Sequence, residues 1–77
     1  MKNIRLSDAK LSVEYFISEV KICDEKIQMY LKNLGLICGA KIVVLKTNFL
    51  RKTFLVKVME IKYSLDKKLA DEIYVYE

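Results

Sequence analysis

Asn33-Leu34-Gly35-Leu36-Ile37-Cys38-Gly39-Ala40-Lys41-Ile42-Val43-Val44 holds the only two glycines of the chain. Running into it, Ile27, Tyr30, Leu31 and Leu34 recur at i, i+3, i+4 and i+7, the stripe of a helix facing a core. Asp24 is suited to cap that helix, and Glu25 puts a negative charge on its first turn. Gly35 fits the left-handed position that ends it. The spacing predicts a helix from Asp24 to Leu34. After Gly39 the period changes to two: Ile42 and Val44 share one face of a strand, Val43 and Leu45 the other.

Outward from there the chain alternates. Ser12–Ile22 is β-branched and aromatic and reads as the first strand, with a bulge or two-sided burial around Tyr15-Phe16-Ile17. Met1–Leu11 is an opening segment in which Leu6 and Leu11 are expected to pack. Thr47–Thr53 is a hairpin loop, and Phe54, Val56 and Val58 alternate with Leu55, Lys57 and Met59. Ile61–Leu65 reads as strand, Asp66–Ala70 as a short turn or 3₁₀ segment, and Glu72–Tyr76 as a last strand with Ile73 and Val75 inward. Five short strands around one small core favour closure, because open edges invite pairing with other chains. The expected fold is mainly β: a five-stranded SH3-like barrel with one inserted helix, forming a single domain over residues 1–77. Pairing of two copies through an edge strand is compatible with so small a barrel.

Composition narrows the function. The 77 residues are 53% hydrophobic and 31% charged, as in a globular chain, with a net charge of +4. Histidine is absent, which removes the commonest general base and metal ligand. With no nucleophile–base pair and no phosphate-binding glycine loop, an enzyme is disfavoured. No apolar run suits a signal peptide or a membrane span, so a soluble cytoplasmic protein is expected.

Four groups of residues are candidate sites. Cys23 and Cys38 are soft metal ligands flanking the helix, but closed sites take four ligands; the ordinary reading is two free, buried thiols. Asp66, Asp71 and Glu72 are hard ligands interrupted by Lys67 and Lys68, as on a solvated surface. Lysines and arginines with Tyr63, Tyr74 and Tyr76 permit a single-strand nucleic-acid face, although acids are interleaved throughout. Leu36, Ile37, Phe49 and Leu50 are apolar residues in connectors; with Arg51 they form a candidate partner-binding patch rimmed by Lys32 and Lys46.

Leu34-Gly35-Leu36, Gly39, Ile42 and Val44, then Val56 and Val58, then Ser64-Leu65, Ala70, Ile73 and Val75 together resemble the ferrous iron transport protein A (FeoA) family. Leu6 and Lys10 fit its usual opening. The resemblance runs from about Leu6 to Val75. The chain departs from the family's common pattern in lacking proline and glycine near Leu11 and Ser12. It also lacks the family's proline, glycine and proline at Phe49, Arg51 and Thr53, and its glycine at Glu60. The resemblance implies a cytosolic SH3-like accessory protein for ferrous iron uptake. Its implied partner is the ferrous iron permease that carries a cytosolic GTPase domain (ferrous iron transport protein B), and its implied site is the inner face of the membrane. It also implies transition-metal binding, while no resident cofactor is expected. The same barrel ends iron-dependent transcriptional repressors. The competing reading is a nucleic-acid-binding barrel.

Overall fold

The computed structural model describes residues 2–77. In chain order the elements are β1 (Ile4–Arg5), a 3₁₀ turn (Leu6–Asp8), β2 (Glu14–Val20), α1 (Glu25–Asn33), β3 (Lys41–Thr47), β4 (Thr53–Val58), β5 (Ile61–Asp66), α2 (Lys67–Asp71) and β6 (Ile73–Tyr76). All strand pairs are antiparallel, in the order β1-β6-β2-β3-β4-β5.

The sheet has six strands rather than five, and it is open rather than closed. The extra strand pairs Ile4 with Val75 and Arg5 with Tyr74. Two residues carry no periodic signal, so Met1–Leu11 reads as irregular from sequence. Among the described residues nothing pairs with the outer side of β5.

The alternation of the strands places one set of side chains in a shared core. Tyr15 and Ile17 of β2, Ile42 and Val44 of β3, Phe54, Val56 and Val58 of β4, Leu65 of β5, and Ile73 and Val75 of β6 are all buried. β2 is shorter than expected and its register shifts between Ile17 and Glu19, so the irregularity lies just beyond Tyr15-Phe16-Ile17. Leu6 joins the core, whereas Leu11 does not: it precedes Ser12, whose φ of 63° turns the chain sharply before β2. The segment expected as a turn or 3₁₀ piece over Asp66–Ala70 is instead the short helix α2 over Lys67–Asp71, which the Asp66 carboxylate caps by accepting from Leu69 N–H at 2.9 Å.

α1 follows its sequence closely. The Asp24 carboxylate accepts from the N–H groups of Lys26 and Ile27, and Gly35 adopts φ +91°. Leu31 is buried, and Ile27 and Leu34 pack against the core at its edge. Tyr30 does not pack there but is 57% exposed. It lies at the margin of the stripe, and Ile27, Leu31 and Leu34 suffice to cover the core.

Candidate functional site

The candidate partner-binding residues do not form one patch. Leu36 is 2% exposed and belongs to the core. The cause is the way α1 ends. Gly35 N–H bonds to Lys32 C=O and Leu36 N–H bonds to Leu31 C=O, both at 3.0 Å. This is the paired-bond terminus in which the residue after the glycine folds back onto the last inward residue of the helix. Leu36 therefore packs with Leu31 instead of facing a partner.

Ile37, 48% exposed, sits just beyond that terminus. Gly39 N–H donates to Ile17 C=O at 2.7 Å and Ala40 N–H to Ile37 C=O at 3.1 Å, which anchors the connector against β2. Phe49, Leu50 and Arg51 lie in the β3–β4 loop. Ile37 precedes β3 and Phe49 follows it, so the seven residues of β3 stand between them, about 20 Å of extended chain. The molecule thus has two apolar ends.

The β3–β4 tip is the sharper of the two. Phe49 is 97% exposed and Leu50 63%. The backbone that presents them is pinned on both sides. Asn48 Oδ1 accepts from Lys52 N–H at 2.7 Å and from Thr53 N–H at 3.2 Å, and Arg51 N–H closes the turn on Asn48 C=O at 3.0 Å. Arg51 takes φ +53° and sends its guanidinium back to Ser7 C=O at 2.9 Å, over the ring of Phe54. An asparagine side chain that replaces backbone acceptors in this way fixes a turn. Two apolar side chains are therefore held out on a braced loop.

The brace continues inward. The Ser7 hydroxyl donates to one oxygen of Asp71, and Lys67 Nζ donates to the other at 2.9 Å. The Ser7 hydrogen bond, then that of Lys67, holds the Asp71 carboxyl below its usual range, against a smaller opposing effect of burial. A carboxylate with a depressed folded pKa contributes stability above its unfolded value, about 3.9, and loses it as pH falls through the folded value. Urea midpoints measured down the acid limb should therefore fall below about pH 4. Ser7→Ala, which removes the larger cause, should flatten that limb.

The helix end exposes more apolar side chains than the connector residues alone. Met29 and Tyr30 on α1, and Met59 and Ile61 at the β4–β5 turn, are also exposed. The β4–β5 turn shares this end because Val43 of β3 pairs with Lys57 of β4, and a side chain added at Gly35 would meet Met59 Sδ at 2.9 Å. Met59 falls on the outward face that the β4 alternation gives it, whereas Met29 lies off the apolar stripe of α1.

Cys23 and Cys38 are both exposed and free, contrary to the expectation of buried thiols. They lie in connectors on either side of α1, outside the strands and the inward helix face. Among the described residues no three His, Cys, Asp or Glu side chains group as metal ligands. Asp66 is engaged as a cap and Asp71 by Ser7 and Lys67. No helix of the described residues is long and apolar enough to cross a membrane. Of the candidate stacking aromatics, Tyr76 lies 5.8 Å from the Phe16 ring and Tyr74 has Lys21 Nζ 4.9 Å over its face, so both are already engaged.

The family model for the FeoA domain matches residues 4–77. Among solved structures, the chain is similar to an iron uptake regulatory protein (FeoA), at 20% identity and a TM-score of 0.84, over 99% of this chain and 97% of that one. It is similar to a FeoA protein from Chlorobium tepidum at 25% identity and TM-score 0.87, over 95% and 69%. A manganese-dependent transcriptional repressor shares the fold at 15% identity and TM-score 0.87; the match spans 97% of this chain and 41% of the repressor. No curated protein matches by sequence.

Proposed function

The chain belongs to the FeoA domain family, and from that premise we propose that it is a non-enzymatic accessory protein of ferrous iron uptake that docks on the GTPase-bearing cytosolic region of a ferrous iron permease. The observation that carries this reading is the β3–β4 tip. Phe49 and Leu50 are offered to solvent by a loop held through Asn48 and Arg51. An exposed apolar pair on a pre-ordered loop loses little conformational freedom on binding, which favours its use as an anchor. Ile37 at the opposite end is a secondary contact, and Leu36 contributes only to the fold. Iron is the cargo of the partner in this reading, with no resident metal in this chain. Its place is the cytoplasm, at the inner membrane face, through that partner.

The test is an NMR titration of labelled protein with the permease's cytosolic region. Amide shifts should concentrate at Asn48–Lys52. Phe49→Asp and Leu50→Asp should each weaken binding by about tenfold or more, as loss of an anchor does, with unchanged spectra elsewhere. Full affinity in both variants would remove the tip from the interface. Shifts confined to Ile37 and the β4–β5 turn would move the interface to the helix end.

A further inference from the structure

β5 ends the sheet, and the residues on its free side can be identified. Met59 and Glu60, with φ of 52° and 67°, form the two-residue turn between β4 and β5, and Val58 faces Ile61 across it. Such a turn closes on a pair that exchanges both backbone hydrogen bonds, and pairs then alternate along the ladder. The bonded pairs are therefore Val58–Ile61, Val56–Tyr63 and Phe54–Leu65. Lys67 N–H, which donates to Lys52 C=O at 2.9 Å, continues the same alternation. Lys62, Ser64 and Asp66 are left with backbone groups directed away from β4, and all three are exposed.

Of the usual obstructions to strand addition this edge carries a lysine, Lys62, but neither a proline nor a bulge. The chain has no proline, and the β4–β5 register is continuous from Thr53–Asp66 to Val58–Ile61, with no bulge. α2 leaves the end of the strand and packs against the 3₁₀ turn, β4 and β6 as well as against β5 itself. The outward residues also carry a symmetric charge pattern, with a lysine and an aspartate two places either side of Ser64. Lys62 faces Lys57 on β4, and neither ion pair among the described residues involves either lysine. Like charges directly opposite destabilise a sheet, so the edge has an unmet need for a carboxylate.

We propose that β5 is a homodimerisation edge, on which a second copy of this chain pairs antiparallel with Ser64 facing Ser64. In that register Lys62 stands opposite the second copy's Asp66, which supplies the missing negative charge on both sides of the axis. Asp66 uses one carboxylate oxygen to cap α2 and keeps the other for this lysine. Its carbonyl begins the bonds of α2, so the edge gains two backbone bonds at the Ser64 pair and one at each end. On the inner face, half-buried Tyr63 meets the second copy's Leu65, extending the existing core contact. The pairing is independent of permease docking, because it uses the edge and not the β3–β4 tip.

Sedimentation velocity of the full chain, from micromolar to millimolar concentration, tests the proposal. The wild-type mass should rise toward two chains, and added salt should weaken the rise. Ser64→Pro removes an outward N–H at a position where an edge strand tolerates proline, and Lys62→Glu sets like charges across the axis. Each should weaken association about tenfold or more while circular dichroism stays that of the wild type. A wild type that remains one chain at millimolar concentration overturns the proposal. A folded Lys62→Glu variant that associates as strongly as the wild type overturns the register, whatever the fate of Ser64→Pro.

Discussion

Leu36→Asp should leave the chain without a cooperative unfolding transition at 25 °C. The side chain is 2% exposed and packs under the terminus of α1, where the bonds to Leu31 and Lys32 carbonyls leave it no outward path. Deleting a buried leucine costs about 2 to 5 kcal/mol. Placing an unpaired carboxylate in the same space adds several more. A chain of 77 residues has about 4 to 12 kcal/mol in all, so the two losses together match or exceed the reserve. Collapsed amide dispersion and a featureless urea titration are the expected readouts. Leu50→Asp, on a side chain already in water, should unfold within about 0.5 kcal/mol of the wild type. A well-folded Leu36→Asp protein would contradict the packing at this helix end.

That contrast marks how far the sequence reaches. Alternation located the core strands because each of Ile42/Val44, Phe54/Val56/Val58 and Ile73/Val75 needs only its own neighbours to declare a face. Asp24 and Gly35 bounded α1 for the same local reason. Leu36 falls outside any period, so only its position in a connector makes it a candidate contact. Yet the order of an inward leucine, two polar residues, Leu34, Gly35 and Leu36 is itself the signature of the folded-back terminus. That signature buries Leu36 and leaves only Ile37 and the β3–β4 tip as contacts. The separation of those two was not local information. It follows from β3 running between them, and from the strand order that sets the β4–β5 turn beside Gly35. The two-residue β1 was likewise invisible, because its existence depends on β6 arriving alongside.

Ser12→Gly combined with Glu60→Gly should raise the melting temperature by about 5 to 10 °C. Both residues hold left-handed backbone, with φ of 63° and 67°. They occupy positions where the resembling family commonly has glycine, so the turn geometry persists although the residue suited to it does not. A side chain in that region costs about 1 to 2 kcal/mol, and glycine's extra freedom in the unfolded chain returns about half of it. The net gain is about 0.5 to 1 kcal/mol at each site. Among the described residues neither side chain makes a hydrogen bond; Ser12 bonds through its own N–H to Val44 C=O, which glycine keeps. Arg51, at φ 53°, is the third such position and should behave in the opposite way. Its guanidinium bonds to Ser7 C=O and covers Phe54, contacts that offset the backbone cost and tie the tip to the body of the domain. Arg51→Gly should therefore give no rise in melting temperature and should broaden the Phe49 and Leu50 amide signals. A rise equal to that of Glu60→Gly would mean that the guanidinium contacts contribute nothing, and the tip would then owe its order to Asn48 alone.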